Sequence, residues 1–540
     1  MRGRTRLMAV AGMSAIAVIA AACGGGDGGG DTAGGGTDEP GKQGGEIVIR
    51  GCTPENPLVP GNTSETCGGD QVDAMTAKLV EYDTETAEPI MDLAESIETE
   101  DNQNFTVTLQ QGRLFHDGTE VKAHNFVDAW NYTTAAKNGQ AGSYFFGAIE
   151  GAAEISAEGA EGEEMSGLEV VDDYTFTIRT TEKVSNLPVR LGYSAFAPLP
   201  DAFFDDPEAF EENPIGAGPF KFVSKSTSEF VYEKFADYDG PSPAHVDKLT
   251  FRVYTDPKTA YTDTVAGNLD YTNEIPQEYL IGEAYKADLS DRALVKPTGR
   301  FAGIVFSPND PQLKENLQLR QALSKAIDRE QIAETIFNGT VTPAHGWAPD
   351  VVDGATDEAC GEYCDFDPEG AKALYEESGG YDGTLTLTVN ADGAHTEWAT
   401  AVCNSIQNTL ELECLMQTTP DFATFNKQID AGEIQGMFRT GWQADYPSIE
   451  NFLAPIYGTG ADSNWSQYNN PDFDQKLTEA ASAEGDDANA LYQEAEAMLG
   501  EDLPTTPLWY PSTVVGWSDN VENVNINVFG VLDFSAISVK

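Results

Sequence analysis

Apolar and polar residues alternate with a period of two in several short stretches of this chain. Phe105-Thr-Val-Thr-Leu109 and Tyr174-Thr-Phe-Thr-Ile178 carry that alternation and predict half-buried antiparallel strands. Glu46-Ile-Val-Ile-Arg50 is rich in β-branched residues and predicts a first strand. Phe220-Lys-Phe-Val, Phe230-Val-Tyr-Glu, Leu249-Thr-Phe-Arg-Val-Tyr254 and Leu385-Thr-Leu-Thr-Val389 predict more. Elsewhere the period lengthens to that of a helix. Phe126, Val127, Trp130 and Tyr132 place one over residues 123–136. Leu319, Leu323, Ala326, Ile327 and Ile336 share one side of a single helix over 316–337, with Gly339 and Pro343 beyond it as stop signals. Residues 397–410 read as helix, as do 488–499, which are rich in good helix formers and end at Gly500. The acidic, small-residue run Gly151–Gly167 predicts a solvated insertion. Strands and helices alternate in some regions and cluster in others, which favours α/β lobes on mixed sheets; there is no tandem repeat.

The N-terminal pattern differs. Arg2, Arg4 and Arg6 precede an uncharged stretch, Leu7–Ala22, whose 16 residues fall short of the roughly 20 that span a bilayer. Charge followed by a short apolar run predicts an export signal over 1–22. Ala20-Ala21-Ala22-Cys23 resembles a bacterial lipobox, with Ala20 where Leu is usual, which implies lipid modification at Cys23. The plainer reading is a secretory signal that happens to precede a cysteine. Residues 24–45 are glycine-rich and lack large apolar side chains, the composition of a flexible tether. No later stretch has transmembrane length and hydrophobicity, so the expected membrane link is the lipid anchor alone.

Composition narrows the function classes. The 540 residues include 31 basic and 89 acidic side chains, a formal net charge of −58. The length suggests about three domains, and the 40% apolar content is enough for a sizeable core. Such acidity excludes a phosphate-tracking nucleic-acid binder and disfavours adsorption to anionic lipid. Apart from Cys23, six cysteines remain, an even count that outside the cytosol reads as disulfides with 15 formal connectivities. Proximity favours Cys52–Cys67, Cys360–Cys364 and Cys403–Cys414. A metal site at Cys360 and Cys364 needs two more ligands, and the five histidines are scattered; none is expected. Gly216-Ala-Gly218 lacks the context of a dinucleotide loop, and neither a nucleophile elbow nor a zinc-protease helix motif is present. No cofactor or catalytic constellation is expected, and a secreted hydrolase stays only as an alternative.

Three segments then resemble one family. Leu109-Gln-Gln-Gly-Arg-Leu-Phe-His-Asp-Gly-Thr-Glu-Val121, Pro214-Ile-Gly-Ala-Gly-Pro-Phe220 and Leu319-Arg-Gln-Ala-Leu-Ser-Lys-Ala-Ile-Asp-Arg329, in this order, resemble the family 5 extracellular solute-binding proteins, the oligopeptide- and dipeptide-binding components of ABC importers. The resemblance implies a two-lobed, periplasmic-binding-protein-like α/β fold (type II, the large cluster with an extra domain in lobe one) and mixed sheets. By analogy, lobe one comprises residues 46–72, 195–298 and 507–540, the additional domain 73–194, and lobe two 299–506, with crossings near 298 and 507. The segments themselves suit fold maintenance, with Gly118 and Gly218 at turns that need open backbone geometry.

The resemblance puts the ligand site at Arg439-Thr-Gly-Trp-Gln-Ala-Asp-Tyr-Pro447. It implies that Asp445 pairs with a ligand α-ammonium and that Arg439 meets a peptide's terminal carboxylate. Backbone groups of Gly441 and Gln443 would pair with the peptide main chain, and Trp442 and Tyr446 would supply apolar walls. A closed cleft does need an acid and a base for a zwitterion, because either charge buried unpaired costs several kcal/mol. From spacing alone, Asp445 could equally cap a turn before Pro447 while Arg439 makes a surface ion pair. The resulting expectation is a monomeric, lipid-anchored protein at the extracytoplasmic face of a bacterial membrane. It captures short peptides for ABC permease subunits, with ATPase subunits engaged indirectly. Capture of another solute (an oligosaccharide or other amine), or presentation of peptides to a sensor, are the alternatives.

Overall fold

The computed structural model of the chain describes residues 43–540 except Ser64, Asp357, Asp392, Ala394 and Asp462, and the side chain of Ala423. The export signal, Cys23 and nearly all of the tether lie outside the described residues.

One twelve-stranded mixed sheet runs through the molecule. At one end Leu385–Asn390 pairs in parallel with Cys414–Thr419 and with Met437–Gln443, which pairs antiparallel with Arg300–Phe306. At the other end Glu46–Gly51 pairs in parallel with Lys248–Val253, continued by the hairpin Glu229–Lys234 and Phe220–Lys225. The 13-residue strand Thr505–Trp517 joins the two ends. Its first half pairs with Arg300–Phe306 and its second half with Ala293–Pro297 and Tyr271–Thr272. A separate antiparallel sheet has the order Ala94–Thr99, Asn104–Leu109, Thr175–Arg179, Leu168–Asp172.

Three large cores follow the same division. One draws on residues between Phe301 and Tyr510, including Trp347 and Trp509. A second lies under the four-stranded sheet, where Trp130 is fully buried with Phe126, Phe146 and Phe176. The third packs Ile47, Ile49 and Phe251 against Val515, Ile526 and Phe534 from the far end of the sequence. Disulfides join Cys52–Cys67, Cys360–Cys364 and Cys403–Cys414.

Three expectations need correction. The helix expected over 316–337 is two, Leu317–Lys325 and Arg329–Thr335. Asp328 ends the first by capping the second: its carboxylate accepts from Gln331 N at 2.9 Å, and its own N–H donates to Ser405 Oγ at 3.0 Å. The helix expected to stop at Gly500 runs over Gly485–Asp502. Gly500 is there because a Cβ would lie 2.2 Å from the Ala359 carbonyl oxygen. The 151–167 insertion is anchored rather than wholly solvated, with Ile155 and Met165 buried in the second core.

The first two family-like segments meet at one side chain. His116 Nδ1 accepts from Gly216 N at 3.1 Å, and its Nε2 faces the Gly218 carbonyl at 3.0 Å. Burial pushes the imidazole down to about 4, so it is neutral and Nε2 carries the donated proton. Gly118 has φ +86° as a turn requires, whereas Gly218 is needed for close approach, a Cβ there falling 2.6 Å from Thr76 O.

Candidate functional site

A cavity of about 480 Å³ opens beside the end of the strand Met437–Gln443. Its walls come from the helix Thr66–Met75, from Lys78, Glu81 and Tyr82, from the turn at Gly192–Ser194, from Arg300, from Gln443–Asp445, and from residues 527–535. That volume suits a small organic ligand.

Asp445 stands on this wall just past the strand's end. Its N–H donates to Asn451 Oδ1 at 2.9 Å, and Asn451 Nδ2 donates to Asp445 Oδ2 at 3.1 Å. Trp442 Nε1 donates to the same Asn451 Oδ1 at 3.0 Å. Asn451, buried near the start of the helix Glu450–Tyr457, thus fixes the whole turn. Asp445 Oδ1 accepts no hydrogen bond among the described residues. Burial pushes the Asp445 carboxyl up to about 6; the Asn451 bond opposes this, Glu450 adds to it, and Arg190 opposes it. An acid held at one oxygen, with the other oxygen unpaired, has capacity for a cation.

Behind Asp445 lies a second set of charges. Glu450 Oε2 accepts from Tyr446 OH at 2.6 Å, from Asn186 Nδ2 at 2.9 Å and from Arg190 Nη2 at 3.0 Å. The Arg190 guanidinium also lies 5.1 Å from the Tyr446 ring centre. Asn186 precedes the short helix Leu187–Arg190 and Arg190 ends it, so residues far apart in sequence brace the wall that carries Asp445.

The structure divides the motif that sequence singles out. Gln443 and Asp445 line the cavity. Trp442 and Tyr446 are not on its wall; they face the supporting side, where Asn451 and Glu450 hold them. Gly441 lies in the strand opposite Ala302, where a Cβ would sit 3.1 Å from Phe301 O. Arg439 also lies off the wall: its Nε donates to Asn390 Oδ1, and its guanidinium covers the Phe422 and Phe425 rings at 4.9 and 5.3 Å. Sequence reading missed Asn451, Arg190 and Glu450. Only Asn451 had a local signal, as a polar residue among Phe452, Leu453 and Ile456 on an otherwise apolar helix.

A large mixed sheet shared by two cores, a separate smaller sheet, and a cavity lined from both sides define a two-lobed solute-binding protein. The family model for bacterial extracellular solute-binding proteins, family 5 (middle), matches residues 88–464, and the chain belongs to this family. Heme-binding protein A of Haemophilus influenzae is 25% identical over 491 residues, 86% of each chain. The oligopeptide-binding protein OppA of Bacillus subtilis is 24% identical over 488 residues, 86% of this chain and 88% of that one. Among solved structures, the periplasmic murein tripeptide binding protein MppA in its unliganded open form matches with a TM-score of 0.80 at 23% identity, over 92% of this chain and 97% of that one. Members of the family are extracellular or periplasmic substrate-binding proteins, and no helix among the described residues is long and apolar enough to cross a membrane.

Proposed function

We propose that this protein captures short peptides between its lobes, through a salt bridge from Asp445 to the peptide α-ammonium, and hands them intact to an ABC permease. The observation that carries this reading is the Asp445 carboxylate, locked through Oδ2 and unpaired at Oδ1 on the cavity wall. Relatives named for oligopeptides and for a murein tripeptide support it. Gln443 offers main-chain groups to an extended ligand. Trp442 and Tyr446 act from behind, holding Asp445 through Asn451 and Glu450. In this reading lobe one (46–72, 195–298 and 507–540, with the additional domain 73–194) and lobe two (299–506) move as rigid bodies about the crossings near 298 and 507. The chain works as a monomer, tethered by a lipid on Cys23, and the permease's ATPase subunits supply the energy.

Native mass spectra of the purified protein, followed by release and fragmentation of what it carries, are expected to show intact short peptides that are lost on unfolding. A single non-peptide species would overturn the ligand assignment.

Affinity is also expected to vary with pH in a defined sense. The ammonium binds the ionised form of Asp445, so protonation below about pH 6 opposes binding. Each further unit down costs up to about tenfold for one proton. Above about pH 8 the peptide amine itself loses its charge, so affinity peaks near pH 7. Calorimetric titrations from pH 5 to 9 check this; the groups facing Asp445 are Glu450, Arg190 and Asn451, with Tyr82, Tyr144 and Tyr193 near enough to feel its charge.

A further inference from the structure

A peptide has a second fixed charge, and the cavity is poorly disposed to receive it. Six carboxylates line the wall, from Glu65, Asp70, Asp73, Glu81, Asp445 and Asp533, against two cations, Lys78 and Arg300. A ligand carboxylate entering this space meets net repulsion unless a cation is available. Lys78 is already committed, with Nζ 3.1 Å from Asp73 Oδ1.

Arg300 is not. Its Nε donates to Gln443 Oε1 at 3.2 Å. Its Nη1 and Nη2 make no hydrogen bond or ion pair among the described residues. Asp70 and Glu274 act on it only through space. The backbone around it is fixed: Arg300 is in register with Gln443, and Ala444 N donates to Gly299 O at 2.7 Å. Gly299 is required there, since a Cβ would fall 2.9 Å from Ala444 Cβ. Arg300 and Asp445 therefore share one wall. Arg439 begins four residues before Gln443 on the same strand, about 13 Å away along it, and its guanidinium is engaged by Asn390 and two phenyl rings.

We propose that Arg300, and not Arg439, takes the terminal carboxylate of the bound peptide, and so selects peptides with a free C-terminus over blocked ones. This rests on the peptide reading of the cavity. The two unused Nη groups suit a forked, charge-assisted bond to a carboxylate, a geometry that lysine does not reproduce. The surrounding acids sharpen the choice. Without Arg300 the same carboxylate is a liability rather than a handle.

The experiment pairs a change in the protein with a change in the ligand. Affinities for alanine peptides of two to five residues, and for the C-terminal amides of the same peptides, are measured by calorimetry at pH 7. The full-length protein is expected to prefer the free acids. Arg300→Gln should lower the acid-to-amide affinity ratio at least tenfold, the free acids losing far more affinity than the amides. A parent-like midpoint of urea unfolding shows that the variant is folded. Arg300→Lys should recover part of the ratio, and Arg439→Gln should leave it unchanged. An Arg300→Gln ratio equal to the parent's, or a loss confined to Arg439→Gln, overturns the proposal while the peptide reading stands. If no alanine peptide binds the parent protein, the peptide reading itself fails and the assignment of Arg300 fails with it.

Discussion

Asp445→Ala is expected to weaken peptide binding at least tenfold without lowering the midpoint of denaturant unfolding. In the complex the carboxylate is the partner of a desolvated ammonium; removing it leaves that charge buried and unpaired, and hydrogen bonds to charged groups are worth about 1.5–3 kcal/mol. One decade of affinity corresponds to about 1.4 kcal/mol, so tenfold is the lower end of the expected loss. Stability should respond in the opposite sense. Burial raises this carboxyl, so the ionised form opposes folding at neutral pH, and its removal relieves that opposition. Asp445→Asn is the finer test, since it removes the charge and keeps a side-chain oxygen for Asn451. Calorimetric titration alongside urea unfolding checks both. An affinity unchanged in the alanine variant would remove Asp445 from the ligand site.

Arg329→Met should give the opposite signature, a large loss of stability with no direct part in binding. Arg329 is 2% exposed and faces oxygen on every side. Its Nε donates to Pro507 O at 2.8 Å, Nη1 to Ser324 O at 3.1 Å and Cys364 O at 3.0 Å, and Nη2 to Ser324 Oγ at 2.9 Å and Thr506 Oγ1 at 2.7 Å. One planar fork thus ties a helix start, the Cys360–Cys364 turn and the long central strand together. Methionine fills much of the volume but leaves several buried acceptors unsatisfied, each costing about 1–3 kcal/mol. A loss of about 3–5 kcal/mol follows, to be read from urea unfolding curves. Lysine should not rescue it, because a single ammonium cannot cover acceptors spread around a guanidinium plane. The third family-like segment ends at this residue, which explains its arginine on structural grounds.

The two residues also mark what could be read from the chain. Strands with period-two patterns stand where the sequence puts them, Asn104–Leu109 and Thr175–Arg179 among them, because alternation reports directly on which face is buried. Residues 316–337 read as one helix because their apolar side continues unbroken through Ala326 and Ile327, while the capping by Asp328 depends on geometry that periodicity does not record. Asp445 was legible through the motif around it. Its supports were not: Glu450 meets Asn186 across 264 positions, and Arg300 meets Gln443 across 143. Such contacts are products of strand register and domain docking, and no local pattern encodes them. Arg439 shows the converse, a residue the motif singles out, while the strand that carries it and the aromatic rings that receive it leave no local pattern.

The central strand also bears on how the molecule comes into being. The strand Glu46–Gly51 lies in a core whose remaining members include Val515, Val521, Ile526, Leu532 and Ile537. This strand, the first among the described residues, therefore waits for residues 515–537 before its apolar face is fully covered. Contacts of such long sequence separation carry a high entropic cost and form late. A nascent chain halted before residue 505 would own both ends of the sheet but not the strand that joins them. Until Thr505–Trp517 is in place, the two ends of the sheet lack the strand that registers them against each other.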